Sequence, residues 1–523
     1  METSKSHFQY NINKLFHIIG IICLTFIFAY TYMNLQNRLS ILFFSASAVL
    51  ILLFLFAKLK AQINNMTNKQ MYLILLSFII LMFLGMAYTA HIMLSNLLND
   101  LGTVYYSVGE ILKDGSISRQ INAYTPCALS THTSNNDYFV IYPNNQFVLF
   151  FLLCYYKILS AAGILSIAGI FTGTDLSNYM GSILNVFMIS MSVIFGFFLC
   201  KKIWNNSGAL MYLIFSFLFL PYYINAYRFY TDTLSLPFVL CSIFLFFKFK
   251  EASSNKQKLI CSCLTGAFLS LSILLKGSLY VLLAAIIIYF LITIKNKRQI
   301  IVLGVMLISL VGITFMWHQY IDHCGWVDTS AENKLELPVT HWIMMASTGD
   351  GGFRQEDLDY TLSFPDKAAK TTATINKTLE RIRSYNGIPN YLTFEFNKIG
   401  ASLADGKFAQ SNQLPWYKQR TWIYDYILEG GLHYNIFYNY ITIFIAAIYI
   451  LIFLSFLCEV KKKEIGYGFF LNLCFIGMVL FFMLWEVKSR YFLDFTPIYF
   501  MCGINALDSC TTLFNSKNSN VNP

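Results

Sequence analysis

The chain has 523 residues, of which 56% are hydrophobic and only 12% charged, with a mean hydropathy of +0.55. A soluble globular chain carries about 25% charge, so this balance excludes a water-soluble domain and points to a polytopic membrane protein set in the lipid bilayer. The formal charge of +10 does not indicate nucleic acid, and no nucleic-acid partner is expected. Most Lys and Arg outside one large loop lie in short loops between apolar runs, where they set topology.

In chain order, apolar runs fall at 15–33, 39–57, 71–98, 179–200, 209–226, 234–247, 259–275, 279–294, 300–317, 434–457, 465–485 and 491–507. At about 20 residues per crossing these predict an all-α polytopic bundle of about twelve transmembrane helices. The polar start Met1–Asn13 leads into the first run with no small-residue cleavage site, so no cleavable signal peptide is expected. Residues 1–70 read as two N-terminal helices, and 71–319 as a core with a first outer loop at 98–146. Residues 320–433 read as a large extracytoplasmic loop, 434–510 as the C-terminal helices and 511–523 as a polar tail.

The basic clusters give the orientation. They are Lys5 and Lys14; Lys58, Lys60 and Lys69; Lys201 and Lys202; Lys248, Lys250, Lys256 and Lys258; Lys295, Lys297 and Arg298; and Lys461, Lys462 and Lys463. Placing all of them inside satisfies the positive-inside rule and puts both termini in the cytoplasm of a cell-membrane protein, with Arg38 a lone exception. Only one net crossing is then allowed between the outer Asp100 and the inner Lys201. If 179–200 is that crossing, 147–171 is interfacial, re-entrant or a tight hairpin.

The same orientation gathers ionisable residues at the outer boundary: Asp100, Arg228, Asp232, Lys276, Glu486, Lys488 and Arg490. Charges at membrane depth are costly and face a cavity or one another. Their convergence from distant segments points to an outward-facing active site. The 12 cysteines contain no C-x-x-C pair and read as small core hydrophobes. His318, Asp322 and His323 flank the start of the large loop and read as a solvated turn, not a metal site. Gly349-Asp350-Gly351-Gly352 reads as a turn, and 370–385 as a helix of a small cap over the outer face.

The order of motifs carries a resemblance. An acid follows an early span (Asn99-Asp100). Then come Tyr142-Pro143-Asn144-Asn145, Tyr230-Thr231-Asp232-Thr233, Lys276-Gly277, a long outer loop with Thr340-His341-Trp342, and Glu486-x-x-x-Arg490-Tyr491. Over roughly residues 94–497 this resembles the GT-C membrane glycosyltransferases, in particular bacterial relatives of the protein O-mannosyltransferases and the aminoarabinose transferase. One departure is Asn99-Asp100, where many members carry two adjacent acids. The resemblance implies a GT-C-like bundle and a polyprenyl-phosphate-sugar donor. It also implies transfer to a glycan, protein or glycolipid acceptor on the outer face. It leaves a divalent metal ion open, since some branches of the family need one and others do not.

Such a transfer needs a base, cations for the departing phosphate, and an apolar groove for the lipid. Asp100 is the base candidate, with helix capping as its alternative role. Arg490 and Lys276 are the phosphate candidates, against interfacial anchoring. Asp232, Tyr142, Asn144, Asn145, His341, Trp342 and Glu486 are candidates for binding substrate; capping, turn and anchor roles compete for several of them. Two other functions fit the composition. A transporter or flippase for a lipid-linked glycan should show repeats and mid-membrane acids, and a polysaccharide polymerase also carries a large outer loop.

Overall fold

The computed structural model describes residues 2–120, 133–294, 298–408 and 417–519. Lys295 and Lys297 of one basic cluster and residues 520–523 of the tail lie outside the described residues. So do 121–132 of the loop expected at 98–146 and 409–416 of the large loop expected at 320–433. The described chain is helical, and an isolated bridge between Ser95 and Tyr417 is its β-type pairing. Apolar runs become helices because a backbone amide shielded from water must be paired within its own segment.

Among the described residues nine helices are long and apolar enough to cross a membrane, or ten if one bent pair is a single span. Against about twelve expected, the differences have local causes. The runs 179–200 and 209–226 join in one helical stretch of 44 residues, Asp175–Leu218. That is about 66 Å at 1.5 Å per residue, twice a bilayer core. It is not straight: Trp204 and Asn205 leave helical angles, with Asn205 at φ 59°. Gly196 lies against the Tyr212 ring, and both are equally far in sequence from Trp204, so the chain doubles back there. The run 279–294 forms only a short helix, Tyr280–Thr293. The run 491–507 starts as the 3-10 stretch Ser489–Phe495 before the helix Thr496–Ser519. The segment 147–171 begins in a helix pair, Asn135–Ile141 and Pro143–Ala161, bent by 107°. Pro143 ends the first helix because it cannot donate a backbone hydrogen bond.

Polar contacts gather at two ends of the bundle. At one, Lys60 pairs with Asp508 at 2.7 Å and Lys202 with Glu251 at 2.5 Å. Lys201 donates to Asn68 Oδ1 at 2.7 Å, and Tyr467 to Glu251 at 2.8 Å. Asn13 donates to the carbonyls of Glu459 and Lys462. The loops assigned to one side by their lysines therefore do meet at one end. The far ends of the same helices meet elsewhere. Gln36 N donates to the Tyr438 hydroxyl, Thr421 Oγ1 to the Ile92 carbonyl, and Lys418 pairs with Asp175.

The large loop packs onto this second end. The helix expected at 370–385 is Lys367–Ser384, capped by the Asp366 side chain. Gly349 and Gly351 adopt φ 64° and 75°, the left-handed values a tight turn uses. The Gly351 carbonyl accepts from Val487 N at 2.9 Å. Beneath it lies Lys398, fully buried in the helix Ile388–Ala404. Its ammonium pairs with Glu395 at 2.7 Å and donates to the Ala346 carbonyl at 3.1 Å and the Met483 carbonyl at 2.6 Å. Two hydrogen bonds and an ion pair thus hold the ammonium, and the loop is thereby tied to the helix that leads into Glu486 and Arg490.

Candidate functional site

Asp100 stands in the first turn of the helix Asn99–Asp114. Asn99 enters it at φ 57°, a conformation Asn tolerates better than most residues. The Asp100 side chain is 33% exposed and its Oδ2 lies 3.5 Å from Arg490 Nη2. Its Oδ1 accepts from the Tyr138 hydroxyl at 3.0 Å. That hydroxyl accepts from Asn145 Nδ2 at 2.6 Å, and Asn145 Oδ1 accepts from the Tyr230 hydroxyl at 2.7 Å. Every donor in this chain points toward Asp100, which is thereby fixed as the terminal acceptor, the role of a carboxylate.

Arg490 sits between two acids. Besides Asp100, its Nε is 3.8 Å from Asp232 Oδ2. Both separations exceed the 2.7–2.9 Å of a good charged hydrogen bond, and Nε makes no hydrogen bond although it is buried. The contrast is Lys276, whose Nζ is 2.5 Å from Asp232 Oδ1. Lys276 follows the helix Asn255–Leu275 in extended conformation, and Asp232 lies in the short helix Thr231–Leu234. The Tyr491 ring carries both cations, with Lys276 Nζ 4.1 Å and the Arg490 guanidinium 5.3 Å from its centroid. Asp232 is thus held by a tight lysine, whereas Arg490 is a buried cation with slack contacts.

The flanks extend this arrangement. Glu486 accepts from the Tyr491 hydroxyl at 3.2 Å and stands 4.0 Å from Lys488 Nζ. Burial pushes the Glu486 carboxyl above its ordinary value and pulls the Lys488 ammonium below its own, with Arg490 adding to the second shift. Arg228 is buried nearby with an Nε that makes no hydrogen bond. Burial and the neighbouring Arg490 both oppose its charge. Asp494 is fully buried and accepts from the Ser235 hydroxyl.

The residues singled out in the sequence fall into two groups. Asp100, Asn145, Asp232, Lys276, Glu486 and Arg490 converge. Tyr142 and Trp342 meet beside them, with ring centroids 5.6 Å apart, and Trp342 stacks on Trp485 at 6.4 Å. Asn144 is exposed and donates to Asn145 Oδ1 at 3.4 Å. His341 faces the interior of the loop: it is fully buried and its Nδ1 lies 2.7 Å from the Thr361 hydroxyl. Burial pushes its pKa down to about 4. His323 Nδ1 lies 2.8 Å from the Gln319 carbonyl. Among the described residues no three His, Cys, Asp or Glu stand together as they would around a metal ion.

Tyr138, Tyr230, Tyr491 and Asp494 escaped the sequence reading as site residues. Tyr230 and Tyr491 lie inside the quoted motifs, two residues before Asp232 and directly after Arg490, and Tyr138 directly follows Asp137; a tyrosine near a charge was their signal. Asp494 has no comparable local signal.

Fold and site together define an all-α integral membrane protein that collects acids and bases from distant helices at one end of its bundle. The chain belongs to a family described as "conserved hypothetical integral membrane protein", which matches residues 5–511. No curated protein and no solved structure matches it.

Proposed function

We propose that the chain is a glycosyltransferase that moves a sugar from a polyprenyl-phosphate-linked donor to an acceptor hydroxyl at the outer face of the cell membrane, with a GT-C-like bundle and both termini cytoplasmic. The observation that carries this reading is Arg490, a buried guanidinium held loosely between Asp100 and Asp232. A guanidinium with unspent donors at the membrane boundary suits a lipid phosphate, which it can grip with two parallel hydrogen bonds.

In this reading the acceptor oxygen attacks the anomeric carbon and the bond from that carbon to the phosphate oxygen breaks. The bonding pair leaves with the phosphate, where Arg490 and Lys276 balance the charge. Asp100 takes the acceptor proton. Tyr138, steered by Asn145 and Tyr230, holds the carboxylate in place. Trp342, half-buried and backed by the Tyr142 ring, offers aromatic surface to a sugar. The acceptor is a glycan, a protein or a glycolipid.

Asp100→Asn tests the reading. Asn keeps the shape and caps a helix equally well but cannot take a proton. Loss of a general base costs about 10²–10⁴-fold in rate. Sugar transfer and donor binding are measured on purified wild type and variant with a polyprenyl-phosphate-sugar donor. The expected result is lost turnover with donor binding retained. Full turnover in Asp100→Asn makes Asp100 structural. A wild-type protein that moves the lipid across vesicles without transferring sugar would instead be a flippase.

A further inference from the structure

The helices Tyr434–Glu459 and Thr496–Ser519 pack along one another. At the end of the bundle that carries the basic loops they bring two thiols together. Cys458 Sγ and Cys510 Sγ are 3.5 Å apart, and both cysteines are free. Neither touches the charge cluster around Arg490. A disulfide needs its sulfurs at about 2.05 Å, so closure asks for an approach of about 1.5 Å, within reach of side-chain rotation. Access is available from the polar end: Cys510 is half-buried, and the Lys60–Asp508 pair beside it keeps 24% and 28% of its side chains exposed.

We propose that Cys458 and Cys510 form a redox-modification site, an intramolecular dithiol that a two-electron oxidant closes into a disulfide. With a diazene oxidant such as diamide, one thiolate adds to an azo nitrogen and the second thiolate attacks that sulfur. The S–S bond forms as the S–N bond breaks. Two electrons and two protons end on the nitrogens, giving the hydrazine. The bond fastens the helix that begins at Thr496, just after Arg490, to the helix that ends at Glu459, and a dithiol reductant opens it.

The turn at 460–466 separates the two cysteines in sequence and provides the test. A protease site is inserted there in the full-length protein, which is oxidised with diamide in membranes, alkylated, cut, and run on a denaturing gel without reductant. The fragments should stay joined in the wild type, part when reductant is added, and part in both Cys458→Ser and Cys510→Ser. Wild-type fragments that separate across the whole oxidant range overturn the proposal. So does a link that survives either substitution, because the bond then lies elsewhere.

Discussion

Lys398→Met removes a buried ammonium that ties the large loop to the bundle while leaving an unbranched side chain of similar length. The ammonium makes an ion pair at 2.7 Å and hydrogen bonds at 3.1 and 2.6 Å to carbonyls of two other elements. Its partner Glu395 is 3% exposed and would be left as an isolated buried acid. Burial already pushes the Glu395 carboxyl up and the Lys398 ammonium down, each opposed by the other's charge. Removing one member of such a pair costs about 3–5 kcal/mol, a factor of roughly 10²–10⁴ in the ratio of docked to undocked loop. Hydrogen exchange of the backbone amides in Val339–Ala346 and Ile388–Ala404 reads that ratio directly. Exchange should quicken by two to four orders of magnitude in Lys398→Met. The double variant Lys398→Met, Glu395→Leu should recover most of the protection, since an apolar pair of similar volume is tolerated. Protection in Lys398→Met within threefold of wild type would refute the assignment of Lys398 as an anchor of the loop.

Three further expectations follow from the site and its surroundings. Arg490→Lys should impair sugar transfer and Arg490→Ala should lower it roughly 10²-fold or more through loss of a charged bidentate contact; near-normal turnover by a well-expressed Arg490→Ala protein removes Arg490 from phosphate binding. His341 has a folded pKa of about 4 against 6.5 unfolded, so the folded loop binds fewer protons between those values and its stability falls as the pH drops below about 6.5. The loss between pH 7 and 5 is about 2 kcal/mol, and exchange protection of the loop helices should show it, with the pH slope flattened in His341→Gln. For topology, cysteines placed at Lys201, Lys256 and Lys462 should resist an impermeant maleimide in whole cells while one at Asp350 reacts; labelling of Asp350→Cys only after membrane disruption reverses the orientation.

The sequence by itself determined the class of protein and the raw material of the site. Apolar runs such as 39–57 and 434–457 became the helices Arg38–Asn64 and Tyr434–Glu459, because hydropathy and the need to pair backbone amides act locally. Asp100, Asp232, Lys276 and Arg490 stood out because a charge at a membrane boundary is expensive wherever it occurs. Tertiary structure decided what each of them touches. Asp100 and Arg490 are 390 residues apart, and nothing in either segment states that they meet. Tyr138 and Tyr230 look like ordinary interfacial aromatics until Asn145 links them into one chain of donors. His341 and Trp342 are neighbours in sequence, yet one is sealed inside the loop beside Thr361 and the other turns to Tyr142 and Trp485. The doubling-back at Trp204, which joined two expected spans into one helical stretch, depended on a φ of 59° at Asn205 and on the space left by Gly196. Local chemistry sets where helices form and what they carry, whereas the packing of one helix on another sets which charges meet.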